Sequence, residues 1–304
     1  MSIVRQDPPH RDLLLPRGSE RRFALGSRGP LRGFLSVVVP ARDEAESLPQ
    51  LVKEITRAIR PLRGERDGRP RLSGFELILV DDGSNDATSQ VLLQLAEDYP
   101  ELRAIRLGQS VGQSAAIAIG FRAARGDWVA TLDADLQNDP DDLALLWDAL
   151  PGHDAALGWR ASRQDVWSKR ALSRLANLVR NKVLGQDIKD TGCSVRIFSR
   201  EMAMRIPVFQ GSHRFVGPLL LREGCDLIQI PVGHRTRTHG KSHYTLVNRS
   251  LRVLVDLVGV IWLMRRAVRY EILEIMNLPR VAIDAPASCL AQIGQLVDHF
   301  EGRQ

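Results

Sequence analysis

The stretch DWVATLDADLQNDPDDLALLWDAL, residues 127–150, carries the pattern from which the fold is read. Trp128 to Leu132 is a short apolar run of buried-strand character that stops abruptly at Asp133 and Asp135. More carboxylates follow, and Pro140 then opens a segment with helical spacing. Crowded carboxylates repel one another, so Asp133 and Asp135 require water, a neighbouring Lys or Arg, or a bound cation.

The same alternation recurs on both sides of this stretch. GFLSVVVP (33–40), FELILVDDGS (75–84), LRAIRL (102–107) and DAALGWR (154–160) read as strands. Between them, Leu48, Leu51, Val52, Ile55 and Ile59 recur at helical spacing. NDATSQVLLQLAEDY (85–99) reads as a helix with Asn85 or Asp86 at its cap, and GQSAAIAIGFRAARG (112–126) as one closed by Gly126. Residues 166–205 are helical and basic up to DTGCSVRIF (190–198), expected as a strand, and CDLIQIPV (225–232) is another. Strands alternating with helices predict an α/β domain with a mainly parallel sheet. In such sheets ligands bind beyond the carboxyl ends of the strands, where Asp81, Asp82, Asp133, Asp135 and Arg160 all fall.

The chain of 304 residues is 44% hydrophobic and 26% charged, which suits a globular α/β core and excludes a disordered chain. A net charge of +6 favours an anionic partner: nucleic acid, a phosphorylated small molecule or an anionic membrane surface. Aromatic residues are only 5%, which argues against a stacking surface for single-stranded nucleic acid. Cys193, Cys225 and Cys289 are widely separated and form no CxxC, so they read as reduced thiols in a cytosolic compartment. Residues 1–33 are rich in Arg, Pro and Gly and read as a basic flexible arm.

LVNRSLRVLVDLVGVIWLMRRAVRY (246–270) reads as one helix, too short in apolar length to span a bilayer. Asn248, Arg249, Arg252, Asp256 and Gly259 form a narrow stripe opposite a broad face of Leu, Val, Ile and Trp262. That is the pattern of an interfacial membrane helix; packing on the protein's own core or on a second subunit is the other reading.

Three acidic strand ends suit a nucleotide diphosphate with its metal. In an extended segment Asp133 and Asp135 point the same way and can grip Mg²⁺, whose shell phosphates and water complete. Two other chemistries are excluded. No GxGxxG follows a strand, and Gly240-Lys241-Ser242 lacks the first glycine of a P-loop, where Arg235 stands. His234, His239 and His243 lie among Arg and Lys, which disfavours metal capture.

SVVVPARDEAESL (36–48), ILVDDGSNDAT (78–88), GQSAAIAIGF (112–121) and ATLDADLQNDP (130–140) together resemble the family 2 glycosyltransferases of GT-A fold. DTGCSVRIF, HRTRTHGKSHY (234–244) and VDLVGVIWLMRR (255–266) narrow the resemblance to the polyprenyl- and dolichyl-phosphate sugar transferases. The resemblance implies a GT-A domain over residues 34–245, an amphipathic membrane-interface region over 246–275 and a tail over 276–304. It implies inverting, metal-dependent transfer of a sugar from a nucleotide diphosphate (GDP-mannose or a UDP-sugar) to polyprenyl phosphate at the cytoplasmic face of the membrane. Transfer to a saccharide or other soluble acceptor, and a non-catalytic nucleotide-sugar-binding scaffold, are the alternatives.

At matched positions, Pro40, Glu44 and Asp82 are expected to line the nucleoside pocket. Asp133, Asp135 and Gln137 are expected to hold Mg²⁺ or Mn²⁺. Arg160 and Arg174 are expected to face the lipid phosphate, with Arg196 a further member of that cluster, and Arg237 and Ser242 to close over the phosphates. Ala41, Arg42 and Asp43 depart from the family's usual aromatic or Val followed by Asn, and His243 stands where Lys is common. No terminal membrane span is read, so a monotopic protein, a homo-oligomer or one anchored through a partner is expected.

Overall fold

The computed structural model describes residues 32–63, 71–161, 187–236 and 246–266. Strands β1 (Arg32–Ala41), β2 (Arg71–Asp81), β3 (Leu102–Arg106), β4 (Trp128–Thr131), β5 (Ala155–Arg160), β6 (Arg196–Ser199) and β7 (Leu227–Val232) form one sheet in the order β3-β2-β1-β4-β6-β5-β7. The four described α-helices before β5 are α1 (Leu48–Ile59), α2 (Thr88–Asp98), α3 (Gln113–Ala123) and α4 (Asp142–Ala149). Later come α5 (Arg200–Arg205), α6 (Val216–Arg222) and α7 (Leu246–Arg265).

Continuous apolar runs in β1 and β2 are what a sheet covered on both faces requires. The period of two splits them: Leu35, Val37, Val39, Leu77 and Leu79 face a core shared with α1, α2 and α4. Val38, Ile78 and Val80 face the opposite core, with Ala116, Phe121, Leu219, Leu220 and Val260. The close approach of α3 to β1 depends on Gly120, where a Cβ would fall inside the van der Waals shell of Val38 Cγ1.

Parallel pairing is interrupted once. β6 runs antiparallel to both β4 and β5. The expected strand over DTGCSVRIF is confined to its last residues, and Asp190 to Val195 cross the carboxyl ends of the neighbouring strands as a loop. Two helix boundaries also differ from expectation. Ala87, rather than Asn85 or Asp86, occupies the cap position of α2, although Asp86 Oδ1 still accepts the Thr88 N–H at 2.9 Å. Helix α3 ends at Ala123, and Gly126 belongs to the turn into β4, packed against the Phe34 carbonyl and the Ser36 backbone.

Helix α7 rests on the second core through Val260, Leu257, Leu263 and Met264. Asp256, from the polar stripe, turns toward the protein and pairs with Arg214 at 3.6 Å. Val255, Val258 and Trp262 are exposed instead, at 64%, 60% and 58%, and Arg266 stacks on the Trp262 ring. Among the described residues no helix is long and apolar enough to cross a membrane. The N-terminal arm through residue 31 and the tail over 276–304 lie outside the described residues.

Candidate active site

β4 ends at Thr131, and the chain leaves the sheet with alternating burial: Asp133, Asp135 and Gln137 are half-buried while Ala134 and Leu136 are buried. Leu136 has φ +59, a left-handed conformation rare for a side chain of this size, and Asp135 Oδ1 accepts the Gln137 N–H at 3.2 Å across it. Strain of this kind, on the order of 1–3 kcal/mol, persists only where the surroundings over-determine the backbone. Burial pushes the Asp133 carboxyl above the usual carboxylate range. The charge of Asp135 adds to the rise, while a Ser194 hydrogen bond and the Arg196 and Arg160 charges oppose it. Two neighbouring carboxylates, one raised by the charge of the other, offer the oxygen donors that a hard divalent cation takes.

The loop before β6 completes this cluster. Ser194 Oγ also accepts from Asn138 Nδ2 at 2.7 Å, so one hydroxyl bridges Asp133 and the end of its own turn. Arg160, at the end of β5, donates Nε to Asp190 Oδ2 at 2.7 Å and Nη2 to Oδ1 at 3.0 Å. The paired side chains are 14% and 9% exposed, which makes this a sheltered bidentate pair. Arg196 is buried on β6 and donates to the carbonyls of His213 and Thr191, each at 3.1 Å. Burial lowers its pKa from the ordinary arginine value, against the charges of Asp133 and Asp190. Cys193 and Cys225 are free and buried, and burial raises the Cys193 thiol to about 11, so it packs rather than reacts.

The ends of β1 and β2 form the adjoining part. Pro40 pairs with Val80 in the sheet, and Glu44 donates its backbone N–H to Thr88 Oγ1 at 2.9 Å and accepts from Ser47 Oγ. Asp82, also buried, accepts from Val111 N at 2.7 Å, Gly112 N at 3.0 Å and Ser110 Oγ at 2.9 Å. Asp81 holds Ser84 and the Ser89 hydroxyl. From the loop that Asp82 gathers, Gln113 reaches Asp133, Nε2 to Oδ1 at 2.9 Å.

The structure thus brings Asp133, Asp135, Arg160 and Arg196 into one electrostatic cluster, and links Asp82 to it through Gln113. Arg174, Arg237 and Ser242 lie outside the described residues. Sequence reasoning missed Asp190, Ser194, Gln113 and the 110–112 loop. Asp190 and Ser194 carried a signal, polar residues immediately before a strand, but the partner Arg160 lies thirty positions away.

Sheet order, the acidic turn after β4 and likeness to solved structures define the fold as that of a GT-A glycosyltransferase. A mannosyltransferase from Pyrobaculum calidifontis, solved with GDP-Man and Mn²⁺, matches at TM-score 0.55 and 20% identity over 79% of this chain and 66% of that one. Glucosyl-3-phosphoglycerate synthase from Mycobacterium tuberculosis, solved with Mn²⁺, UDP-glucose and phosphoglyceric acid, matches at 0.55 and 20% over 75% and 80%. The chain belongs to glycosyl transferase family 2, whose model matches residues 36–206. It is 34% identical over 227 residues to an undecaprenyl-phosphate 4-deoxy-4-formamido-L-arabinose transferase of Aeromonas hydrophila subsp. hydrophila, covering 74% of this chain and 67% of that protein. To the protein of the same name in Pseudomonas aeruginosa it is 37% identical, covering 74% and 64%. The match therefore spans about two thirds of the length of these curated relatives.

Proposed function

We propose that this protein transfers a sugar from a nucleotide diphosphate to a polyprenyl phosphate, in a metal-dependent reaction that inverts the anomeric carbon. The observation that carries the reading is the pair Asp133 and Asp135 on the turn that leaves β4, set among Arg160 and Arg196 at the carboxyl ends of the sheet. The relatives named as undecaprenyl-phosphate sugar transferases support a lipid-phosphate acceptor. The neighbours solved with Mn²⁺ and a nucleotide sugar support the cofactor and the donor class.

In this reading Pro40, Glu44 and Asp82 line the nucleoside pocket, and Asp133, Asp135 and Gln137 would hold Mg²⁺ or Mn²⁺. When bound there, the cation supplies charge neutralisation for the departing diphosphate. Arg160, aimed by Asp190, orients the acceptor phosphate, where a guanidinium's planar fork suits phosphate oxygens. Arg174 shares that task, and Arg237 and Ser242 engage the donor phosphates. The acceptor phosphate is anionic near neutral pH, so alignment matters more than proton removal and no strong general base is required. In-line attack on the anomeric carbon then gives inversion.

Val255, Val258 and Trp262 on α7, followed by Arg265 and Arg266, suit the interface of an anionic membrane at its cytoplasmic face. In this reading a basic arm leads into β1 at Arg32, the transferase domain covers 34–245, and a membrane-interface region over 246–275 precedes a tail. An acceptor panel at fixed donor tests the reading. Label passing to undecaprenyl phosphate and to none of a set of saccharides supports it, and label passing to a saccharide alone removes the lipid acceptor.

A further inference from the structure

Arg235 follows β7 and makes three contacts to two elements. Its backbone N–H donates to the Gln137 carbonyl at 2.8 Å. Its guanidinium reaches Asp139 Oδ1 at 2.9 Å and, on the other side, Glu54 Oε2 at 2.7 Å. Two residues earlier, the Gly233 N–H donates to Asp142 Oδ2 at 2.9 Å. The segment 233–235 is therefore fastened along the outgoing half of the turn that begins with Asp133 and Asp135.

That turn needs an external hold. It contains a left-handed Leu136, and Asp133, Asp135, Asp139, Asp141 and Asp142 crowd negative charge into ten positions. One side is held by Asn138 through Ser194. The other is held by Arg235, which ties Asp139 to Glu54 on α1, a helix locked into the core by Leu48, Leu51, Val52 and Ile55. Backbone bonding at Gln137 fixes the carbonyl, and the double ion pair fixes where Arg235 itself stands.

We infer that Arg235 is a positioning residue for the cation-holding turn, acting through Gln137 and Asp139 and not touching substrate. The inference rests on the proposed metal-dependent reaction and deepens it, since it names what sets the spacing of Asp133, Asp135 and Gln137. A group that orients metal ligands from behind typically changes metal affinity by ten- to a hundredfold when removed.

The test uses the full chain and Mn²⁺ alone as the probe, with bound Mn²⁺ followed by electron paramagnetic resonance and amide hydrogen exchange followed over residues 133–142. Arg235→Ala is expected to weaken Mn²⁺ binding roughly tenfold or more and to speed exchange in that segment, with Arg235→Lys recovering part of both. Asp139→Asn and Glu54→Gln, which each remove one partner, are expected to produce smaller losses in the same direction. They also serve if Arg235→Ala does not fold. Unchanged Mn²⁺ affinity in folded Arg235→Ala, or in both partner variants, overturns the inference while leaving the proposed function standing. A wild-type chain that binds no Mn²⁺ overturns the metal reading and the inference with it.

Discussion

Gln113 Nε2 lies 2.9 Å from Asp133 Oδ1, and the residue before Gln113 is held by Asp82 through its backbone N–H. The acidic end of β2 is thereby connected to the acidic end of β4 across the strand between them. Asp82→Ala would leave the Val111 and Gly112 N–H groups and the Ser110 hydroxyl without their acceptor. A loss of about 1–3 kcal/mol in urea unfolding is expected, together with a raised KM for the nucleotide sugar. An unchanged KM in a destabilised variant would make Asp82 a fastening of the 110–112 loop and nothing more.

Arg160 and Asp190 are mutually dependent. Removing either takes from the other its bidentate partner, so Arg160→Ala and Asp190→Ala are each expected to cost about 1–3 kcal/mol. The double variant is expected to be more stable than the sum of the two losses implies. Urea unfolding of all four proteins measures the coupling, and strict additivity would contradict the pair.

Asp142 gives a pH dependence with a definite sign. Burial raises its carboxyl to about 6 against the Gly233 hydrogen bond, with Asp139 and Asp141 adding to the rise above the ordinary 3.8. The folded protein then holds this proton more tightly than the unfolded chain. Its contribution is most favourable below that window and is lost as pH rises from 3.8 through 6, on the order of 1–3 kcal/mol. Asp142→Asn keeps an oxygen for the Gly233 N–H, so it is expected to remove this slope and to be more stable than wild type at neutral pH. Parallel pH profiles of the two unfolding midpoints would contradict the assignment.

The exposed face of α7 predicts lipid binding by insertion and charge together. Trp262→Ala and Val258→Asp are expected to reduce sedimentation with anionic vesicles several-fold, and Arg265→Glu with Arg266→Glu to reduce it further while making the remainder less weakened by salt. Binding unaffected by all of these would assign that face to another partner.

Much of this was visible in the sequence because burial on both faces writes long apolar runs. β1, β2 and β4 are such runs, and each of the seven strands overlaps a stretch read as a strand, although β3 and β7 are part-exposed and β6 has only four residues. The DxD turn is legible because carboxylates rarely end a buried strand without cause. What stayed hidden depends on contacts between distant positions. The antiparallel entry of β6 places Asp190 beside Arg160 and Ser194 beside Asp133, and no local pattern encodes that. Asp256 stands out in the sequence only as a member of a polar stripe, and its pairing with Arg214 depends on the tertiary fold. Arg235 was notable in the sequence only as a departure from a P-loop, because its partners lie on α1 and after β4.

The most direct measurement of the central claim is transfer of labelled sugar from a donor panel, GDP-mannose and several UDP-sugars, into extractable polyprenyl phosphate. It is run with and without Mn²⁺ or Mg²⁺ and repeated with Asp135→Ala. The account predicts metal-dependent labelling of the lipid from one donor and at least about a hundredfold loss in the variant, roughly 2.7 kcal/mol of transition-state stabilisation. Labelling that is indifferent to metal and unaffected by Asp135→Ala would contradict it.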